Sequence, residues 1–210
     1  MRALLTRMRA PLARRRFADA RGLRLNLGAG GRVREGWTNV DLTAHAGIDC
    51  VYDLRRGLPF ADESTDLIFC EHLLEHLDYV EEVPRFLDAC WRALKPGGVL
   101  RIVVPDAEAY LRAYVSRDWP RLQSMRPLQN ERVDRWTQDR YATAIELVNA
   151  VFRQHGEHRF AYDYETLEFA LVAAGFRGVQ RQAFGQSLDQ RLAVDLPDRA
   201  SESLYVDAQK

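Results

Sequence analysis

Leu23-Arg24-Leu25-Asn26-Leu27-Gly28-Ala29-Gly30-Gly31 is the stretch that decides the fold. Apolar residues at 23, 25 and 27 alternate with polar ones, the period of a strand with two unlike faces, and the glycines that follow close the strand in a turn. A turn without Cβ atoms lets a bound molecule approach the backbone and frees amide N–H groups for an anion. Outward from it, strand patterns recur at residues 38–42, 48–52 and 66–70, the last after the turn-like stretch 59–65. From Val83 the apolar positions change to helical spacing: Val83, Phe86, Leu87, Cys90, Trp91 and Leu94 share one face, and Pro84 suits the first turn. Lys95-Pro96-Gly97-Gly98 stops that helix and turns the chain. Residues 99–104 are then a nearly continuous apolar run ending at Pro105-Asp106, the signature of a strand buried on both faces.

Strands that alternate with crossovers imply a doubly wound, mostly parallel sheet, whose ligand crevice lies beyond the carboxyl ends of the strands. Gly28, Asp41, Asp53, Glu71 and Asp106 fall along that rim. Two late strands, near residues 178–182 and 203–206, complete a seven-stranded α/β sheet as an antiparallel edge. Between the two groups, Asp163 is the expected N-cap of a helix over 164–174, which Gly175 closes as the residue beyond its C-cap. Residues 107–160 exceed a simple crossover and read as a helical lid or substrate-binding insertion after the fifth strand, with a helical period over 141–152. With 210 residues the chain has the size of one domain. It divides into a basic arm, residues 1–20, and a single domain, residues 21–210.

Thirty Lys and Arg balance thirty Asp and Glu, so the chain lacks the cationic surplus of a nucleic-acid binder, and no nucleic-acid partner is expected. Charge is one-sided only at the front, where Arg2, Arg7, Arg9, Arg14, Arg15 and Arg16 precede the first acid, Asp19. That segment reads as a frayed basic arm; alternatively Leu4, Leu5, Met8 and Leu12 form an apolar stripe giving peripheral membrane contact. No apolar run approaches the roughly 18 residues of a membrane span, and no compact apolar leader stands at the front. A cytoplasmic protein, free or membrane-peripheral, is expected. Cys50, Cys70 and Cys90 are too far apart for a metal or disulfide framework and read as small core residues.

The glycine turn alone is a weak signal. A dinucleotide fingerprint requires glycine at 33, where Val33 stands, and the turn lacks the lysine of a phosphate-binding loop. No Tyr-x-x-x-Lys pair appears, so an NAD(P)-binding oxidoreductase or epimerase is the weaker alternative. Asp41, at the end of the second strand, suits the two hydroxyls of a ribose.

Leu25-Asn26-Leu27-Gly28-Ala29-Gly30, Asn39-Val40-Asp41-Leu42, Asp53-Leu54, Leu58 to Ile68, Glu75-His76 and Leu94-Lys95-Pro96-Gly97-Gly98 stand in an order that resembles class I S-adenosylmethionine-dependent methyltransferases. The nearest resemblance is to small bacterial enzymes of glycan or secondary metabolism, and it covers residues 23–106. It implies S-adenosylmethionine as cofactor and a small-molecule or glycan acceptor. It places Gly28, Ala29 and Gly30 beside the methionine part of the cofactor and Asp41 at the ribose. Asp53 and Leu54 then flank the adenine, and Glu71 and His72 line the methionine side and the acceptor entrance. Two features depart from the pattern. Asn26 stands where many members carry an acid that orients the cofactor's ammonium group, although its carbonyl still accepts hydrogen bonds. Residues 30–41 are also too few for the usual helix between the first two strands, so residues 32–37 are expected to form a loop, whose Arg32 and Arg34 read first as exposed side chains and alternatively as a cation for the cofactor carboxylate.

Methyl transfer from a sulfonium is an in-line displacement that needs alignment and desolvation above all. A hydroxyl acceptor must also lose a proton, for which His72, His76, His155 and His158 are the candidate bases, with Glu71 and Asp106 behind them. His155 and His158 flank Glu157 at a spacing that suits a metal, but no further ligand or zincin spacing accompanies them, and no metal site is expected. Tyr110, Tyr114, Trp119, Trp136, Tyr141, Phe160, Tyr162 and Tyr164 are candidates for an acceptor pocket. Arg112, Arg117, Arg121, Arg126, Arg132, Arg135 and Arg140 among them suit an anionic substrate or a solvated surface. Because methyltransferases share no universal catalytic side chain, a non-catalytic member that binds cofactor or a partner protein is the second reading.

Overall fold

The computed structural model describes residues 11–125, 141 and 143–210. Its centre is one sheet of seven strands: β1 (Leu23–Leu27), β2 (Thr38–Asp41), β3 (Cys50–Val51), β4 (Thr65–Glu71), β5 (Leu94–Pro105), β6 (Arg177–Gln182) and β7 (Ser203–Gln209). Their order is β3-β2-β1-β4-β5-β7-β6. The first five pair in parallel. β7 enters between β5 and β6 and runs antiparallel to both. This is the mostly parallel sheet with an antiparallel edge that the pattern of strands predicts. The helices are α1 (residues 11–16), α2 (Glu82–Ala93), α3 (Ala107–Val115), α4 (Trp119–Met125), α5 (Ala144–Arg153) and α6 (Tyr164–Ala173).

Side-chain alternation divides the core between the two faces of the sheet. Ile68 and Cys70 of β4, with Leu100, Ile102 and Val104 of β5, meet Val83, Phe86, Leu87 and Cys90 of α2 and Leu167 and Leu171 of α6. On the opposite face Leu67, Phe69, Val99, Val103 and Tyr205 are covered by Leu192, with Trp37 and Val194 leaning on the cluster. That second cover comes largely from irregular chain between β6 and β7, which contains 3-10 turns at Gln190–Leu192 and Pro197–Arg199. Each large apolar side chain so buried contributes about 1.5–3 kcal/mol. The three cysteines are buried and unpaired; burial pushes the Cys50 thiol up to about 11 and those of Cys70 and Cys90 well above their ordinary value.

β5 carries one charged residue inside its apolar run. Arg101 is fully buried, and its guanidinium donates to Asp195 through Nε (2.8 Å) and Nη2 (2.6 Å) and to Asp207 of β7 through Nη1 (2.7 Å). The Lys95-Pro96-Gly97-Gly98 turn lies within the strand. Leu94 already pairs with Thr65, and pairing resumes at Val99 opposite Leu67, so the intervening residues bulge out of the ladder, with Gly97 at φ +79°.

Asp163 caps α6 as expected, its carboxylate accepting from Thr166 N at 2.9 Å, and Gly175 follows the C-cap at φ +96°. Asp163→Ala is expected to lower stability by about 1 kcal/mol, read as a shift of the urea midpoint at unchanged slope. In the insertion, α3, α4 and α5 bury Tyr110, Ala113, Leu122, Met125, Leu147, Val148 and Val151 in an apolar cluster of their own. Residues 126–140 and 142, with Arg126, Arg132, Arg135, Trp136 and Arg140, lie outside the described residues.

The front of the chain differs from a frayed arm over its second half. Residues 11–16 are helical, Phe17 is buried against Phe60 with ring centroids 5.0 Å apart, and Arg16 donates to the Asp49 carbonyl at 2.7 Å. One aromatic anchor and one long hydrogen-bonding side chain dock what the charge pattern alone left free. Residues 1–10, with Arg2, Leu4, Leu5, Arg7, Met8 and Arg9, lie outside the described residues. Among the described residues no helix is long and apolar enough to cross a membrane.

Candidate functional site

The strand order reverses between β1 and β4, which opens a crevice beyond their carboxyl ends. There a cavity of about 170 Å³ is lined by Asn26 and the glycine turn from β1, Glu71 and His72 from β4, Arg32 and Arg34 from the loop between β1 and β2, and Leu196 and Arg199 from the chain before β7. Gly28 takes φ +74°, and a Cβ there would lie 3.1 Å from Leu73 Cβ, so the turn needs glycine for its conformation and for its packing. The amides of Gly28 and Ala29 both donate to the Val40 carbonyl, at 2.9 and 3.0 Å. Gly30 N donates to Asp41 Oδ2 (2.9 Å) and Thr43 N to Asp41 Oδ1 (2.8 Å), which fixes that carboxylate beside the turn.

Residues 32–37 form a loop, as their number requires, and two buried asparagines organise it. Asn26 Nδ2 donates to Asn39 Oδ1 (2.9 Å) and to the Arg32 carbonyl (3.1 Å); Asn39 accepts from Arg34 N (2.8 Å) and donates to its carbonyl (3.0 Å). The loop carries Arg34 over the ring of Phe69, 4.4 Å from its centroid, with Nη2 3.8 Å from Glu71 Oε2. Neither Arg34 Nε nor Glu71 Oε1 has a hydrogen-bond partner, although both atoms are buried. Burial lowers the pKa of Arg34 and raises that of Glu71, in each case against the partial compensation of the other's charge. Arg32 instead reaches outward to Asp198 at 3.0 Å.

His72 forms another wall. It adopts φ +49°, uncommon for a residue other than glycine, and its Nε2 lies 3.0 Å from Ser203 Oγ. Its Nδ1 lies 3.1 Å from Glu75 Oε1 and 3.5 Å from Arg199 Nη1. Arg199 in turn pairs with Glu202 (2.8 Å), which also accepts from Tyr110 of the insertion (3.2 Å). Glu75 is 1% exposed. Burial alone would raise its pKa, but the imidazoles of His72 and His158 together outweigh burial and hold it below the ordinary value.

Of the candidate bases, His72, His76 and His158 therefore gather round Glu75, and His155 does not. His155 is exposed in a turn at φ +57°, while His158 is buried and its Nδ1 lies 2.6 Å from the Val151 carbonyl. Burial is the largest influence on His158 and lowers its pKa. Asp106 serves structure: it caps α3 through Ala109 N (3.0 Å) and pairs with Arg181 (2.6 Å). Asp53 is held by Arg55 Nε (2.8 Å) and Nη2 (2.9 Å), and Leu54 is buried in the main core, so neither lines this cavity. Among the proposed pocket aromatics, Tyr110 is buried within the insertion and Phe160 and Tyr162 pack with the main core. Tyr114 and Trp119 line a separate cavity of about 460 Å³ in the insertion. Arg199 and Ser203 belong to the site without having been singled out from sequence, and Glu75 had entered only as part of the Glu75-His76 motif, with no role.

Residues 25–102 match the family described as a methyltransferase domain. No curated protein matches the chain. Among solved structures, a SAM-dependent methyltransferase from Archaeoglobus fulgidus is similar at 17% identity and a TM-score of 0.53, over 100% of this chain and 95% of that one. A possible histamine N-methyltransferase from Thermotoga maritima is similar at 19% identity and a TM-score of 0.53, over 98% and 92% of the two chains. The Burkholderia thailandensis 1,6-didemethyltoxoflavin-N1-methyltransferase, with 1,6-didemethyltoxoflavin and S-adenosylhomocysteine bound, is similar at 15% identity and a TM-score of 0.50, over 98% and 77%. At these identities the likeness is one of fold.

Proposed function

We propose that the chain, whose residues 25–102 match a methyltransferase domain family, is a class I, S-adenosylmethionine-dependent methyltransferase that methylates a hydroxyl of a small-molecule or glycan acceptor at the cavity between β1 and β4. The observation that carries the reading is the pair of unsatisfied polar atoms in residues of that cavity, a donor on Arg34 and an acceptor on Glu71. They are complementary to the two ends of an amino-acid zwitterion, the carboxylate and the ammonium group. Asp41 adds the ribose contact: each of its oxygens already accepts one backbone amide and keeps a further lone pair for a hydroxyl. Gly28, Ala29 and Gly30 leave the backbone open to a close approach, and Asn26 holds the loop that brings Arg34 in. Asp53 and Leu54, at the end of β3, are the remaining adenine-side candidates.

When bound, the cofactor supplies a methyl group already activated on a sulfonium. The chain has to orient the acceptor, exclude water and take up a proton. His72 is the base we assign, since it lines the cavity: Glu75 holds its Nδ1, and Nε2, now beside Ser203 Oγ, takes up the proton once it turns from that hydroxyl to the acceptor. A neutral amine acceptor would need no such base, which favours oxygen as the methylated atom. The insertion, tied to this wall through Tyr110 and Glu202, is the proposed acceptor-binding element.

Calorimetric titration with S-adenosylhomocysteine, S-adenosylmethionine and NAD(H) tests the reading. Adenosyl ligands are expected to bind and NAD(H) is not. Asp41→Ala, checked for folding by thermal melting, is expected to weaken S-adenosylhomocysteine binding about 10- to 100-fold, the effect of losing hydrogen bonds to a charged group worth about 1.5–3 kcal/mol. Absent adenosyl binding to folded protein sinks the proposal; binding without turnover on any hydroxyl acceptor converts it to the non-catalytic reading.

A further inference from the structure

We infer that Glu75, His76 and His158 form a binding site for one divalent transition-metal ion. One ligand atom from each of the three lies within 4.8 Å of the other two. The site shares Glu75 with the proposed grip on His72, but the observations that carry it do not rest on the methyl-transfer reading.

His158 Nδ1 lies 2.6 Å from the Val151 carbonyl, and His76 Nδ1 lies 3.1 Å from the Glu157 carbonyl. A carbonyl only accepts, so in both rings Nδ1 carries the proton and Nε2 presents a lone pair. Metal-binding histidines are commonly oriented in this way, with the second nitrogen donating to a backbone carbonyl. The two rings meet edge to face at 4.7 Å between centroids, and His158 Nε2 lies 4.0 Å from Glu75 Oε1. Glu75 is 1% exposed, and neither of its carboxylate oxygens has an aligned hydrogen-bond partner, although His72 Nδ1 stands 3.1 Å away.

Two imidazole lone pairs and a buried carboxylate thus converge as acceptors, with no well-placed donor among the three. The buried Glu75 carboxylate is met by His72 on one side only, and on the side of His76 and His158 it is costly unless a cation sits there. Two imidazoles with one carboxylate suit Zn²⁺, Co²⁺, Fe²⁺ or Mn²⁺ better than Mg²⁺ or Ca²⁺, which favour oxygen. The present spacing is somewhat wider than the edge of a tetrahedron with bonds of about 2.1 Å, roughly 3.4 Å. The half-buried His76 ring is the member free to close the gap. Three protein ligands leave a coordination position open, and His72 joins the centre to the cavity wall. The His155–His158 pair suggested by sequence spacing is not the metal set; His158 takes its partners from a segment some eighty residues earlier.

The test uses the full chain, freed of metal with a chelator and titrated separately with Co²⁺, Zn²⁺ and Mg²⁺. Co²⁺ is followed by its visible absorption and Zn²⁺ by calorimetry. One equivalent of Co²⁺ should bind, develop visible bands and be displaced by Zn²⁺, while Mg²⁺ does not compete. His76→Ala and Glu75→Gln should each weaken Co²⁺ binding by roughly tenfold or more, with His155→Ala as the unchanged comparator. If Glu75→Gln fails to fold, His76→Ala, at a less buried position, decides the matter. Absence of stoichiometric uptake, or uptake unaffected by His76→Ala, overturns the site. Retained binding of S-adenosylhomocysteine by the chelated protein would show that the two readings stand or fall separately.

Discussion

Arg101→Leu is expected to destabilise the protein by about 3–5 kcal/mol, enough to consume much of the 5–15 kcal/mol that holds a domain of this kind together. The guanidinium is fully buried and is the shared partner of Asp195 and Asp207; Asp195 Oδ2 also accepts from Gly185 N (2.8 Å), and Asp207 Oδ2 accepts from Ser187 Oγ (2.7 Å) and Leu188 N (2.7 Å). Burial opposes the charge on Arg101, but the two carboxylates outweigh it and hold its pKa above the ordinary value. Leucine fills much of the volume yet leaves two carboxylates in the interior without their cation. Urea unfolding should show the loss as a lowered midpoint. Arg101→Lys should recover only part of it, because an ammonium cannot make the bidentate pair with Asp195. A loss below about 1 kcal/mol in the leucine variant would mean that water reaches the carboxylates and that the network does not close the sheet's second face.

Phe69→Ala is expected to cost a similar amount, about 3–5 kcal/mol, because it empties the centre of the smaller core cluster. It should also disturb ligand binding, since Arg34 rests on that ring at 4.4 Å and Trp37 meets its edge at 6.5 Å. Phe69→Leu separates the two effects: packing is largely kept, while the aromatic face under the guanidinium, worth about 0.5–2 kcal/mol, is lost. The leucine variant should therefore melt close to the parent and bind S-adenosylhomocysteine severalfold more weakly. Unchanged affinity would remove Arg34 from the proposed cofactor contacts.

Much of this architecture is legible in the chain because it is written in short-range patterns. β1 is read to the residue from three alternating leucines and a glycine turn, and the Asp163 cap and the missing helix at 32–37 follow from local chemistry and chain length. β3 shows the limit. The apolar stretch 48–52 contains only two ladder residues, because an edge strand pairs on one side and Val40↔Cys50 and Asp41↔Val51 are its whole register. The Lys95–Gly98 turn is hidden inside a strand because Leu94 pairs with Thr65 before the chain bulges. In the site, the residues that β1, β2 and β4 bring to the rim were expected there. Arg199, Glu202 and Ser203 were not, since they arrive from the start of an antiparallel strand, whose beginning lies where parallel strands end: Ser203 stands opposite Pro105. The apolar run 99–104 implies that Arg101 is buried with its neighbours, but nothing local points to its two partners, which lie about a hundred residues further along the chain.

The position of β7 also sets an order of events during synthesis. β6 has no direct pairing with β5; both pair with β7. When β5 has left the ribosome, its outer edge offers unpaired amides and carbonyls along an apolar strand until residues 203–209 emerge. At about 5–20 residues per second that interval lasts on the order of 5–20 s. Throughout it the nascent chain displays the kind of open strand edge on which aggregation begins, and a chaperone that shields such edges has its window there.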